Sequence, residues 1–441
     1  MQVYSFKLSD YKKQMHELRD LDVDILGVDH AEQIVDIRLT LEKWKKIEKD
    51  WIKFLVAESN NVNWSADFAP DSQYHNPEEA RQLLQDLAFR FPDIATMESI
   101  GSTHEGRDIW AMKISDNVEL SEGEEPALLF NGMHHAREVM TTEVILDAAQ
   151  TLLTEYGQDD DITAWVDGNE IWLVPSVNPD GGHKVHDGSN MWRKNTRDGH
   201  GVDLNRNYPF NWDSCDGSSG SKYSDTYRGE KPASELETQA LMRLVERIQP
   251  VFNISYHSYS EMVLYPYGCR PLSVESDMAR IVGRSMANVL VKDDDSGTYS
   301  VGTPWDLLYN ADGSDIDWMF GVHNVLAYVI EVNSRSQGFH PPFSWRDPTV
   351  KKMRESWKHL LQRSNGPGIR GSLPSLMDDR EVLVSLKSLS DHKLAFAPRR
   401  LNKDGSFHFV TEPGHYKLVV TKKGQKIREE VVQVKLERIN L

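Results

Sequence analysis

The chain has 441 residues, enough for two or three domains and a large buried core, with the 39% hydrophobic and 27% charged content of an ordinary soluble globular protein. A formal net charge of −18 excludes an extended nucleic-acid or anionic-membrane surface, though not a local basic pocket. No apolar run reaches membrane-spanning length, and the two cysteines, Cys215 and Cys269, read equally as one disulfide or as two unpaired thiols.

Residues 1–58 read as a small α/β unit. Residues 3–6 form a strand, and Asp10 caps a helix that runs to Leu21. Residues 23–26 and 34–39 alternate as a hairpin with Asp29-His30 near its turn. Residues 41–51 are a second amphipathic helix, and 53–57 a closing strand. This β-α-β-β-α-β order is the split βαβ arrangement. Residues 59–73, with Asn60-Asn61, Ser65, Pro70 and Asp71-Ser72, read as an exposed linker.

Residues 74–365 alternate helices with short apolar strands. Asn76 is an N-cap and Pro77 the first residue of a helix running to Phe91. Strands are expected over 109–114, 127–130, 171–174, 251–256 and 325–330, and helices over 142–156 and 232–248. Such alternation predicts a mixed sheet with helices on both faces and active residues on loops at strand ends. After Gly366-Pro367-Gly368 the character changes. Short alternating segments at 382–386, 407–410 and 416–420, separated by turns at Asp404-Gly405 and Pro413-Gly414, predict a small antiparallel β-sandwich over 366–441.

Chemistry concentrates in the central block. His135 and Glu138 are separated by two residues and follow an apolar strand. Imidazole and carboxylate are both zinc ligands, and a catalytic zinc usually takes three protein ligands, so the pair calls for a third. His257, just past the 251–256 strand, supplies it. Arg206 beside Asn205 forms a candidate carboxylate clamp, because a guanidinium binds carboxylate in a bidentate manner and a neighbouring amide adds a further bond. Glu331, at the mouth of the 325–330 strand, is a candidate general base.

Together these residues resemble the zinc metallocarboxypeptidases of the pancreatic carboxypeptidase A family. The matches run in order: the His-x-x-Glu at His135 and Glu138, Asn-Pro-Asp-Gly at 178–181, Trp-Arg-Lys at 192–194, Gly-Val-Asp-x-Asn-Arg-Asn at 201–207, a loosely spaced Tyr-Arg-Gly to Ser-Glu stretch at 227–235, and His-Ser-Tyr through Leu-Tyr-Pro-Tyr-Gly at 257–268. Tyr309, Gly313, Asp317-Trp318 and Glu331 complete the series. Residues 217–220 and 226–229 look closer to bacterial secreted members, the N-terminal unit resembles an inhibitory pro-segment, and the tail resembles a transthyretin-like sandwich.

The resemblance implies an α/β fold class: a mixed eight-stranded sheet with helices on both faces, preceded by a small split-βαβ domain and followed by a small β-sandwich. It implies one Zn²⁺ per chain, held by His135, Glu138 and His257 and acidifying water while polarising the scissile carbonyl. Asp203 would orient His135. Glu331 would act as the base and Arg193 would stabilise the oxyanion. Asn205 and Arg206 would grip the terminal carboxylate, Arg137 would add an outer carboxylate contact, and Tyr309 would close over the substrate from a mobile loop. Ile316 lies at the base of the specificity pocket and favours an apolar or aromatic terminal residue. Asp315 and Asp312 nearby leave a basic or mixed preference open, and Gly268 leaves room for a large side chain.

The expected activity is release of single C-terminal residues from peptides or proteins by a monomer made as a zymogen, without nucleic-acid partners or a membrane span. It would be secreted or periplasmic; the first residues lack a secretory signal, which leaves a cytoplasmic protein as the alternative. Two other readings are a related zinc hydrolase acting on cell-wall peptides or amides, and a non-catalytic binding protein on the same scaffold. Retention of Arg206 and Tyr309 weighs against the first, and retention of all three ligands and the base against the second.

Overall fold

The computed structural model describes residues 2–58, 69–119, 125–270, 278–377, 381–390, 396 and 398–440. Most of the linker read from the sequence, residues 59–68, lies outside the described residues.

The N-terminal unit contains β1 (Gln2–Lys7), α1 (Tyr11–Asp20), β2 (Asp24–Asp29), β3 (Ile34–Leu39), α2 (Leu41–Trp51) and β4 (Leu55–Glu58), in the expected order. The strands form one antiparallel sheet in the order β2-β3-β1-β4, which leaves β2 on an edge. Asp10 and Thr40 accept from the backbone N–H groups of Lys13 and Lys43, satisfying donors that the first turn of a helix leaves unpaired. Tyr4, Phe6, Leu18, Ile37 and Trp44 are buried in the unit's core. The last strand begins later than expected, because α2 tightens into a 3₁₀ turn over Ile52–Phe54 that consumes Lys53 and Phe54.

The central block opens with α3 (Pro77–Arg90), β5 (Ala95–Ser102), β6 (Asp108–Ile114), β7 (Ala127–Asn131), α4 (Met140–Glu155), α5 (Asp160–Val166), β8 (Glu170–Val174) and α6 (Pro179–His186). It continues with α7 (Leu236–Ile248), β9 (Phe252–Ser258), β10 (Met262–Leu264), α8 (Met278–Ala287), β11 (Ser300–Gly302), α9 (Pro304–Leu307), α10 (Asp315–His323), β12 (Leu326–Val332) and α11 (Arg346–Asn365). Asn76 caps α3 through a full capping box with Glu79. Helix α7 starts at Leu236 rather than at residue 232, because Ala233 takes a left-handed φ of 50° and Glu235 is extended, and neither conformation propagates a helix.

Eight strands form one mixed sheet in the order β11-β10-β12-β9-β7-β8-β6-β5. Its centre, β12-β9-β7-β8, is parallel. These strands are apolar almost throughout because both faces are covered. Alternate residues serve the two faces: Leu128 and Phe130 pack with α3, α4, α8 and α11, while Ala127 and Leu129 pack with α7, α10 and the N-terminal unit. The mixed sheet with helices on both faces is the architecture expected from the sequence.

The tail holds β13 (Gly368–Ser372), β14 (Val382–Ser388), β15 (Arg399–Arg400), β16 (Ser406–Val410), β17 (Gly414–Lys422), β18 (Gln425–Val434) and β19 (Arg438–Asn440). They form two small sheets, β16-β13-β19 and β15-β14-β17-β18. The pairings are antiparallel, as expected, except that β13 and β19 run parallel. Phe407, Phe409 and Tyr416 of the tail share one continuous core with Trp357, Leu360 and Leu361 of α11. Among the described residues no helix is long and apolar enough to cross a membrane.

Trp357 is fully buried where α11 packs on α4 and α8. Trp357→Ala is expected to cost about 3–5 kcal/mol, read as a lowered denaturant midpoint at unchanged slope.

Candidate metal centre and active-site cleft

Parallel strands deliver their C-terminal ends to one edge of a sheet, and that edge is where α/β proteins build sites. His134, His135 and Glu138 follow β7, His257 lies near the end of β9, and Glu331 near the end of β12, where it pairs in register with His257. The turn after β7 is tightly specified. Met133 adopts a left-handed φ of 54° and donates its N–H to Thr141 Oγ1 at 2.9 Å. A Cβ on Gly132 would lie 2.8 Å from the Thr141 carbonyl oxygen. The backbone is thus forced round so that His135 and Glu138 face β9.

The three expected ligands converge. Glu138 Oε1 lies 2.9 Å from His135 Nδ1, Glu138 Oε2 lies 3.0 Å from His257 Nδ1, and the two Nδ1 atoms are 3.0 Å apart. All three side chains are buried. Two imidazole lone pairs and a carboxylate facing one another in a dry site repel, and a shared cation removes the repulsion. Two His nitrogens with one carboxylate is also a zinc donor set. Zinc therefore fits these residues.

The surrounding groups set the character of each ligand. His135 Nε2 lies 3.1 Å from Asp203 Oδ1, which fixes its proton there and turns the Nδ1 lone pair inward. Burial and the Arg193 charge push the His135 imidazole down. Burial would lower His257 too, but Glu138 outweighs it and raises that pKa. Burial pushes Glu331 up to about 7; His257 pulls against this and Glu138 adds to it. His134, fully enclosed, is pushed by burial down to about 4.

One cavity is lined by His135, Glu138, His257, Glu331, Arg193, Asn205, Arg206, Tyr309 and Ile316. Arg193 is held flat by Asp203, with Nε and Nη2 donating to Oδ2 at 3.1 and 2.9 Å. Arg206 is oriented by backbone carbonyls, its Nε donating to Gly217 at 3.0 Å and its Nη1 to Asn205 at 2.7 Å. Tyr309 lies between α9 and α10, and Ile316 in the first turn of α10. Besides Ile316 the cavity is lined by the apolar Leu264, Pro304, Leu308, Ala311 and Val329. Asp312 and Asp315 are not among the lining residues. Asp312 Oδ2 instead accepts from the N–H groups of Cys215 and Gly217. Cys215 and Cys269 form a disulfide with Cα atoms 5.5 Å apart. It joins the loop that carries Gly217 to the loop that carries Gly268.

Arg137 does not line the cavity. It is fully buried, and its two Nη atoms each donate at 2.9 Å to the carboxylate of Asp24, at the start of β2. Burial alone would raise the Asp24 carboxyl, but Arg137, Arg38 and Arg193 outweigh it and hold it well below the usual carboxylate range. Residues 25–28 of β2 form part of the cavity wall. Val28 N–H donates to Ser260 Oγ at 3.1 Å, and Arg335 bonds Asp36 from the other side. Gly27 permits this approach: a Cβ there would lie 2.3 Å from the ring of Tyr259.

Three participants were not singled out from the sequence. Asp24 carries no local signal. His134 is masked by its neighbour, since only the i,i+3 spacing marks His135 as the partner of Glu138. Ser255 shares a strand face with His257 at i,i+2, and a polar pair on one face of an apolar strand was the available signal.

A zinc carboxypeptidase family model matches residues 80–356. Metallocarboxypeptidase A of Trichophyton tonsurans is 34% identical over 307 residues, covering 65% of this chain and 71% of that protein. Carboxypeptidase A2 of Rattus norvegicus is 29% identical over 343 residues, covering 76% of this chain and 78% of that one. The fold matches the crystal structure of the carboxypeptidase A from Helicoverpa armigera with a TM-score of 0.69 at 24% identity, over 82% of this chain and 96% of that chain. With the family model spanning well over half of its length, the chain belongs to the zinc carboxypeptidase family.

Proposed function

We propose that this carboxypeptidase releases single C-terminal residues with apolar or aromatic side chains, that the uncut chain is its zymogen, and that it works outside the cytosol. One observation carries the reading of the substrate: the ligand cluster, the Arg206 guanidinium and an apolar lining that includes Ile316 share a single cavity. A chain end with an uncharged side chain matches that combination. The Cys215–Cys269 bridge supports an oxidising compartment.

In this reading Arg206 and Asn205 bind the terminal carboxylate, and Ile316 with its neighbours buries the terminal side chain. His135, Glu138 and His257 would hold zinc, which when bound would supply Lewis acidity toward the carbonyl and the attacking water. Glu331 takes the proton of the attacking water and returns it to the departing amide nitrogen. Arg193 faces the oxygen on which negative charge develops, so its contribution is largest in the transition state. Tyr309 closes over the bound residue. Asp203 positions both His135 and Arg193.

Residues 1–58 act as the pro-segment, 59–73 as the cleavable linker, 74–365 as the catalytic domain and 366–441 as an accessory transthyretin-like sandwich. The edge strand β2 lies across the cavity, and Asp24 occupies the guanidinium of Arg137. The outer carboxylate contact expected of Arg137 is then made by the chain's own aspartate until the segment leaves.

Glu331→Gln is expected to lower kcat by at least about 10²–10⁴-fold while the protein still binds zinc, and a C-terminally amidated peptide is expected to be a far poorer substrate than the free acid. Equal rates on both would remove the exopeptidase reading. In a panel of peptides differing only in the last residue, Phe and Leu are expected to exceed Lys by at least about tenfold in kcat/KM, and Ile316→Asp to reverse the order.

The base must be ionised to work, so kcat/KM is expected to fall as pH drops through the Glu331 ionisation. That lies near 7 from burial and lower once a cation sits beside it. A profile without an acid limb would exclude Glu331 as the base.

Proteolysis within 59–68 is expected to raise activity. Asp24→Ala, or Gly27→Val, which clashes with Tyr259, is expected to raise the activity of the uncut chain. Unchanged activity after cleavage would make residues 1–58 a permanent domain.

A further inference from the structure

Beneath the metal centre lies a set of buried polar groups that the proposed reaction does not use. His134 is fully enclosed and its ring stacks on that of His257, with centroids 5.6 Å apart and planes inclined by 19°. Ser255 Oγ lies 3.2 Å from His134 Nδ1 and 3.2 Å from His257 Nε2. His134 Nε2 lies 3.0 Å from the Tyr208 hydroxyl and 4.0 Å from Asp315 Oδ2. Asp315 is completely buried, and neither of its carboxylate oxygens has a hydrogen-bond partner. A buried, unpartnered carboxylate is costly and calls for an explanation.

The order of donors supplies one. With a cation shared between Nδ1 and Glu138, the ring proton of His257 sits on Nε2, from which Ser255 Oγ can accept it. The Ser255 hydroxyl then donates to His134 Nδ1. This leaves the His134 proton on Nε2, facing Tyr208 and Asp315. Each donor points the same way, and the chain ends at an anion. Asn205 lies beside both ends of this chain. Its Oδ1 accepts from the Asp315 N–H at 2.9 Å, and its Nδ2 packs 3.3 Å from His257 Nε2.

We infer that His134 and Asp315, acting through Ser255, are positioning residues for the metal ligand His257. His135 is backed directly by Asp203 at 3.1 Å. His257 is backed by a carboxylate one serine and one histidine further away. A ligand histidine whose distal N–H is held has a fixed tautomer and a more basic metal-binding nitrogen, and losing such a partner typically weakens metal affinity 10–100-fold.

This inference rests on the ligand set proposed above, and its test reads zinc affinity rather than peptidase activity. Wild type, His134→Leu, His134→Asn and Asp315→Asn are made in the full-length chain, and zinc dissociation constants are measured by competition with a chromophoric chelator. Asp203→Asn serves as the comparison. His134→Leu and Asp315→Asn are expected to weaken zinc binding by about 10–100-fold. His134→Asn, whose amide oxygen can still accept from Ser255, is expected to recover part of the loss. Melting midpoints of the metal-free proteins are recorded alongside. The positioning role predicts a smaller zinc-induced rise in midpoint, whereas a merely structural role lowers the metal-free midpoint and leaves the zinc constant unchanged. If His134→Leu does not fold, the nearly isosteric Asp315→Asn decides alone. Wild-type affinity in Asp315→Asn, or a loss in His134→Leu that His134→Asn does not recover, overturns the inference. Absence of zinc binding by the wild type would instead overturn the ligand set itself.

Discussion

Everything in the centre of this molecule answers to one constraint: two imidazole nitrogens and a carboxylate held within about a hydrogen-bond length of one another in a water-poor site. Such a group of electron-pair donors is unstable by itself. It persists where a cation or a proton sits among the donors and where the backbone leaves the side chains no escape. The parallel register of β9 and β12 sets His257 beside Glu331, and the left-handed Met133 with its close approach to Thr141 sets His135 and Glu138. His257 and Glu331 sit on strands, and His135 and Glu138 on a turn pinned by its contact with Thr141. Directed metal sites need that, because an error of half an ångström in a ligand is felt in affinity and in rate.

The same logic explains why the guanidinium groups are so heavily constrained. Arg193 is pinned by Asp203, Arg206 by two carbonyl oxygens and Arg137 by Asp24. An immobilised guanidinium has already lost its rotamer entropy, so a bound carboxylate gains more from it. Arg137 differs from the other two because its partner comes from the N-terminal unit. Removing one member of a buried ion pair typically costs about 3–5 kcal/mol, since the survivor is left unpaired in a dry environment. On the zymogen reading the N-terminal unit therefore cannot leave by small fluctuations at that contact. Arg137 has to be rehydrated or handed to another carboxylate.

Much of this was legible in the sequence. The split βαβ order, the apolar parallel strands and the Asn76 capping box all follow from periodicity and cap chemistry, which are local. His135, Glu138, His257, Arg206 and Glu331 stood out because each sits at the end of an apolar run or in a polar cluster. What escaped is set by packing at long range. The late start of α7 depends on a left-handed Ala233, which no propensity signals. The parallel return of β19 onto β13 depends on how the tail closes. Asp24 is an ordinary surface residue type until β2 is docked across the cleft, and the sequence shows only an edge strand. The cysteine pair was ambiguous because bridging depends on two loops meeting, which the separation of 54 residues does not reveal.

An acidic protein with a net charge of −18 that turns Arg193 and Arg206 into one cleft, with Arg137 buried against Asp24, places positive charge where, on the proposed reading, a chain-end carboxylate is held. The surrounding field repels anions generally, so capture depends on the short-range geometry of the guanidinium groups rather than on long-range steering. On the proposed reading, the guanidinium chemistry that would suit the cleft to a substrate carboxylate also suits it to an internal aspartate. Asp24 exploits this: it binds at Arg137 and leaves Arg206 to face the cavity. On the zymogen reading, occlusion and recognition draw on the same carboxylate–guanidinium chemistry at different arginines, and the cleft is blocked without altering any group that the proposed chemistry requires. On that reading, cutting the linker would need to change only the effective concentration of Asp24, with no rearrangement of the proposed metal ligands.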